Sequence, residues 1–346
     1  MFQIGAIAAL EDHLEGFSAD GFDFYVCSSS GATVGVALAA GRKVQRIYRS
    51  FLDPADDYFP LERGHILRAD LAEWRRMAKT GLAALGHGSR SLLSKKLAPS
   101  PSVLWEELAR LYDSMPAGMF SLDGYERFLI ENFARRGVPN NFRSLQRAVR
   151  ILAHDLDTGE PVAFGGESFD QMPISRACIA SMATPPLFSP VRIGDNHYIN
   201  PAPVQRSHVD VACESGANVV VVVNPMVPLK VSGVPTGHGI RTSVRDKGAM
   251  WVSNQANRIK LHSQLWAAVH RVRSATNVKV LVVEPDPTEG QLFMHNLASF
   301  AARRGILEYA YRYTAGALKR WAATGQLPLA ETGWTVRRTN EQTEWE

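Results

Sequence analysis

The chain has 346 residues, 45% of them hydrophobic, and a formal net charge of +4. That apolar content excludes disorder as the default state, and so slight a positive charge, with a pI near 9.0, is too weak to argue for nucleic acid as a partner. No stretch reaches the about 18 uninterrupted apolar residues that suggest a membrane span, and the opening residues lack the basic region and cleavage site of a signal peptide.

The widely spaced Cys27, Cys178 and Cys213 offer no metal-ligand pair and suit free thiols in a reducing compartment, so the expected location is cytoplasmic. In chain order, Ile4, Ile7, Leu10 and Leu14 fall on one side of a helix over residues 2–14. Phe22 to Cys27 reads as a short buried strand. Ala32 to Ala40 reads as a helix stopped by Gly41. From about 50 to 145 the character changes to amphipathic helices with polar joints, "RADLAEWRRMAKTGLAAL" and "SVLWEELARLYDSM" among them. Strand signals return in "RAVRILAHDL" and "PVAFGG", joined by the turn-like "DTGE". "ISRACIASMATPPLF" predicts a helix stopped by the proline pair, and "VRIGDNHYIN" a hairpin around Gly194-Asp195. "VQRSHVDVACESGA" is helical. The five valines of "NVVVVVNP" and the run "VKVLVVEP" suit strands covered on both faces. A basic helical segment over about 240–272 separates those strands, and a last helix is expected over about 291–323. Strands alternating with helices predict an α/β fold with a mainly parallel sheet. It forms a single domain over 1–330, followed by a loose polar tail over 331–346.

Within this pattern, Cys27-Ser28-Ser29-Ser30-Gly31 stands where a strand gives way to a helix. A serine on such a turn has its hydroxyl exposed and the helix N-terminus aimed at developing negative charge. The same pentapeptide also suits a serine that merely caps the helix, and local sequence leaves both readings open. Candidate bases are few. His208 and Asp210 of "SHVD" lie two apart on a helix, point in different directions and read as a solvated or partner-facing surface. His154, Asp155 and Asp157 of "AHDLD" alternate between strand faces and make no metal site. "GLAALGHGSRS" lacks both a Walker lysine and the preceding strand of a dinucleotide site.

Taken in order, "FQIGAIAAL", "FDFYVCSSSGATVGVALAAG", "AHDLDTGEPVAF", "SRACIASMATPPLFSPV", "HYINPAPVQ" and "GANVVVVVNP" resemble the patatin-like phospholipase family, bacterial type. The resemblance implies a three-layer α/β/α sandwich, here with a helical insertion over about 50–145. It implies a serine–aspartate dyad that cleaves lipid acyl esters without histidine, metal or cofactor. Residue by residue, it implies Ser29 as nucleophile, with Ser30 and Gly31 completing the turn. Two departures accompany it. The position of the family's aspartate is Asn200, in Asn200-Pro201-Ala202, and a neutral amide cannot take a proton at working pH. A first strand and a glycine-rich oxyanion loop, expected before the helix at Phe2, are not in the sequence, which opens at Met1. The alternative expectation is therefore a catalytically impaired relative that binds lipid or a protein partner; a non-lipid esterase using Ser29 is a third. Asp195 and Asp210 are the substitute bases within reach in sequence.

A lipid or phospholipid substrate is implied, with room for peripheral contact with a membrane surface. Trp74, Met77, Leu82, Leu85, Leu92 and Leu93 stand beside Arg75, Arg76, Lys79, Arg90, Lys95 and Lys96, an interfacial composition that equally suits a helix packed on the core. Arg241, Arg245, Arg258 and Lys260 read either as phosphate contacts or as solubilising charge. Headgroup preference and oligomeric state are not written in the sequence.

Overall fold

A computed structural model describes residues 1–53, 55–79, 115–166, 169–201, 206–231, 243–290, 292, 302–325, 327 and 332–337. Helix α1 (Phe2–His13) runs into the two-residue strand β1 (Leu14–Glu15). Strand β2 (Phe24–Cys27) then leads to helix α2 (Ser30–Ala39). Gly41, at φ +73°, ends this helix as the sequence predicts: its N–H donates to Leu38 O (2.8 Å) and that of Arg42 to Ala37 O (2.9 Å), the paired bonds of a left-handed glycine stop.

Helices α3 (Val44–Ser50) and α4 (Arg63–Ile66) precede β3 (Arg68–Ala69), which pairs antiparallel with β4 (Phe120–Ser121). Helix α5 (Asp123–Arg136) lies within the predicted insertion, yet its Tyr125, Phe128, Leu129 and Phe133 are buried in the main core. This helix thus belongs to the helical packing around the main core, while residues 80–114 of the expected insertion lie outside the described residues.

Strand β5 (Ala148–Asp155) lies parallel to β2, with Cys27 opposite Ile151. The remaining partners in that five-stranded sheet are antiparallel: β6 (Pro161–Phe164) on β5, β8 (Asn196–Ile199) on the end of β5, and β7 (Val191–Ile193) on β8. Helix α6 (Ile174–Met182) joins β6 to β7. Helix α7 (His208–Glu214) follows, then β9 (Val219–Val223), α8 (Ala249–Ala275), β10 (Lys279–Val283) and α9 (Arg303–Thr324). Strands β9 and β10 pair in parallel, Val219 with Lys279 through Val223 with Val283. The sheet is therefore mixed, and among the described residues the parallel arrangement expected from the sequence is met at β2–β5 and β9–β10 and not at the other pairs of the five-stranded sheet. Connection length is the reason at β5–β6 and at β7–β8. Residues 156–160 and Gly194-Asp195 are too short for a parallel crossover, which needs a dozen residues or more.

The valine strands show the layering. Val220, Val222, Val280 and Val282 pack into one cluster with Val209 of α7 and Ala268, Val269 and Val272 of α8. The alternate residues Val221, Val223, Leu281 and Val283 belong to the main core, together with α1 and α9. Both faces are thus covered by helices, as a continuous apolar run requires. A Cβ on Gly5 of α1 would overlap the Leu307 carbonyl oxygen of α9, so the two helices cross at glycine contact.

Of the tail expected to be loose, residues 332–337 are held, and residues 338–346 lie outside the described residues. Strand β11 (Thr335–Val336) pairs antiparallel with β1. Trp334 meets the ring edges of Phe17 and Phe22, with centroids 5.1 and 6.2 Å away. An aromatic anchor outweighs the polar composition around it. Among the described residues no helix is long and apolar enough to cross a membrane.

Candidate active site

Strand β2 ends at Cys27 and α2 begins at Ser30, so the chain turns within Ser28 and Ser29. The turn holds Ser29 at φ +52°, ψ −140°, the one non-glycine positive φ among the described residues. Such a conformation costs about 1–3 kcal/mol and persists only where the surroundings impose it. Ser29 occupies the N-cap position of α2 but makes no side-chain capping bond, so the capping reading of this serine fails. Ser30 and Gly31 open the helix, where N–H groups have no carbonyl one turn behind them.

Strand and helix approach closely at the turn. A Cβ on Gly35 would overlap Cys27 Sγ: the sulfur fills the space that Gly35 leaves. Burial pushes the Cys27 thiol up to about 12, which keeps it protonated and removes it as a rival nucleophile. Gly35→Ala is expected to lower stability by about 1–3 kcal/mol through overpacking, and adding Cys27→Ala should recover most of that loss. Denaturant midpoints of the two variants test the pair.

Ser181 of α6 braces the turn and is itself held by Leu152 and Asn200. The Ser29 N–H donates to Ser181 Oγ (2.9 Å), and that hydroxyl donates on to Leu152 O (2.5 Å). Asn200, directly after β8, donates through Nδ2 to Ser181 O (2.6 Å) and through its backbone N–H to Ala183 O (2.9 Å). The predicted nucleophile and the predicted dyad position thus meet at one residue. Sequence reading did not single out Ser181, whose signal was no more than a hydroxyl among the small apolar residues of "ACIASM". It is fully buried, so Ser181→Ala leaves the Ser29 N–H and the Leu152 carbonyl without this partner. The expected loss is about 2–4 kcal/mol in a thermal or denaturant melt.

On the other side, His208 Nε2 lies 2.8 Å from Ser28 Oγ. The helix read as a solvated or partner-facing surface therefore presents its first residue to the serine turn, and to Ser28 rather than Ser29. Burial pulls the imidazole down to about 4, so it is neutral at physiological pH. Asp210 is engaged elsewhere. It closes a capping box with Ser207 (2.7 and 3.4 Å) and pairs with Arg271 of α8 (2.7 and 2.9 Å).

The other candidates fall away from the turn. Asp195 is 99% exposed in its hairpin and reaches Arg192 at 3.3 Å. Asp155 accepts from the N–H groups of Asp157 (2.9 Å) and Thr158 (3.2 Å) and from Asn196 Nδ2 (2.5 Å), organising the turn after β5. Among the described residues no group of three or more His, Cys, Asp or Glu is placed to hold a metal ion. Arg258 is buried and donates to Asn254 Oδ1, Pro225 O and Val227 O at 2.8–3.1 Å, so it serves neither phosphate nor solubility. Trp74, Arg75, Arg76 and Lys79 are exposed and Met77 half-buried. Leu82, Leu85, Arg90, Leu92, Leu93, Lys95, Lys96 and Arg241 lie outside the described residues.

Fold and turn together define the class: an α/β protein that presents a serine on a strained strand-to-helix turn at the edge of a helix-covered sheet. The family model described as patatin-like phospholipase matches residues 1–210, and the chain belongs to that family. Among solved structures it is similar to VipD from Legionella pneumophila, at 14% identity and a TM-score of 0.35, over 92% of this chain and 64% of that one. The chain thus spans less than two thirds of that relative. No curated protein sequence matches.

Proposed function

We propose that the protein hydrolyses acyl esters of lipids with Ser29 as its nucleophile. The observation that carries the reading is the strained Ser29 backbone with a side chain that the following helix does not use for capping. In this scheme Ser29 Oγ attacks the ester carbonyl carbon. The N–H groups of Ser30 and Gly31 lie at the positive end of α2, where they favour the developing oxyanion. The C–O bond breaks, the alcohol leaves with a proton, and water then cleaves the acyl-serine. Asn200 takes no proton: its amide nitrogen donates to Ser181 O and an amide has no useful basicity. The serine proton passes to solvent, which makes the chain a slow member of its class.

An acyl chain needs an apolar approach. Leu71, Trp74, Met115 and Met119 are 63, 40, 59 and 40% exposed, beside the exposed cations Arg75, Arg76 and Lys79. This composition supports peripheral contact with a lipid interface. The test is mass spectrometry after a fluorophosphonate probe. Label on Ser29 that disappears in Ser29→Ala supports the reading. Absence of label on any serine of the turn, with no turnover of dispersed phospholipid, sinks it in favour of a lipid- or partner-binding relative.

A further inference from the structure

A residue at φ +52° keeps that conformation only while its neighbours hold it. Ser181 fixes residue 29 itself, through its N–H. Residue 28 is fixed by a different element. Ser28 follows β2 directly, and its hydroxyl lies 2.8 Å from Nε2 of His208, the first residue of α7. That helix is itself well anchored. The Ser207–Asp210 capping box closes its N-terminus, the Asp210 carboxylate meets Arg271 of α8, and Val209 is wholly buried among side chains of α8, β9 and β10. The imidazole therefore sits on a braced element and passes that rigidity to the residue before the strained one.

We infer that His208 is a positioning residue of the serine turn: its hydrogen bond to Ser28 holds residue 28 and thereby the presentation of the Ser29 hydroxyl. The ring does this as a neutral group. Burial disfavours its cation, and so does the positive end of α7 on which it stands. Either tautomer can complete the bond, with the Ser28 hydroxyl accepting or donating in turn. The kinetic consequence rests on the acyl-hydrolase reading, whereas the mechanical one does not.

Four variants separate the possibilities. His208→Phe keeps a ring and removes the hydrogen bond, His208→Gln keeps a polar group within reach, Ser28→Ala removes the other partner, and the double variant His208→Phe/Ser28→Ala tests coupling. Two readouts are taken on the full chain: kcat and KM on a dispersed ester, and hydrogen–deuterium exchange of the peptide spanning residues 26–33. His208→Phe and Ser28→Ala should each lower kcat by about 10- to 100-fold at unchanged KM, the scale of a small misplacement of the attacking group. Each should also speed exchange at the turn. The double variant should be no worse than either single change, and His208→Gln should keep most of the activity.

Effects that multiply in the double variant, or a rise in KM with kcat unchanged, overturn the inference. So does exchange at wild-type rate in both single variants. If the wild type turns over no ester and takes no probe, it is the acyl-hydrolase reading that fails, and exchange alone then decides. Faster exchange in His208→Phe and in Ser28→Ala, with protection retained in His208→Gln, supports the positioning role; equal exchange in all variants refutes it. Should His208→Phe fail to fold, Ser28→Ala and His208→Gln carry the same comparison.

Discussion

Ser29→Gly is expected to make the protein more stable and inactive at once, whereas Ser29→Ala should be inactive without the gain. Serine and alanine both carry a Cβ, and both are strained at φ +52°, ψ −140°. Glycine is not. Relief of strain offers about 1–3 kcal/mol, and the greater freedom of glycine in the unfolded chain takes back about 0.4–1 kcal/mol. The net is a gain of about 1 kcal/mol, read as a higher denaturant midpoint at unchanged slope. Ester turnover should fall by at least about 10³-fold in both variants, as loss of a nucleophile does elsewhere. The pair tests the serine turn in two independent ways. A stability gain in the alanine variant as well would mean that something other than backbone strain is being relieved. Turnover surviving in both would remove Ser29 from the chemistry.

Much of this arrangement was legible because its signals are local. The serine cluster between an apolar run and a small-residue helix announced the turn over 22–41, and Gly41 marked the helix stop. Five consecutive valines announced a strand covered on both faces, and the two clusters that divide them alternately are the reason. The "DTGE" stretch also read correctly as a turn between strands, and Gly194-Asp195 as the turn of a hairpin. The overall parallel expectation came from counting strand–helix alternation and gave too little weight to those short connections. What the sequence could not disclose was contact at long range. Ser181 lies 152 positions from Ser29, and His208 lies 180 from Ser28. Neither residue sits in a pattern of its own. His208 was read against Asp210 because the two are close in sequence, yet the helix sends one to the serine turn and the other to Arg271. The anchored tail was missed for a similar reason, since Trp334 docks on Phe17 and Phe22, more than 300 residues earlier.

Asn200→Asp is expected to raise ester turnover and lower stability in the same protein. Asn200 and Ser29 both bond to Ser181, so a carboxylate at position 200 stands on the brace of the serine turn. A general base in reach of the nucleophile is worth about 10²- to 10⁴-fold. The stability cost comes from the bond that the amide now makes. Its Nδ2 donates to Ser181 O at 2.6 Å, and an ionised carboxyl has no hydrogen to give. It sets two acceptors against each other, at a cost of about 1–3 kcal/mol. Because the folded state disfavours the ion, the new carboxyl should titrate above the unfolded value of about 3.9. The sign follows from linkage: the variant is as stable as the parent at low pH, where the protonated carboxyl can still donate, and loses stability as pH rises through its folded pKa. Turnover needs the ionised form, so activity should rise over the same pH range in which stability falls. Parallel melts and initial rates between pH 4 and 8 read both curves. If stability falls while turnover does not move, Asn200 is a tether of the turn and nothing more. If turnover rises with no stability change, the carboxyl has left Ser181, and the amide bond seen there is dispensable to the fold.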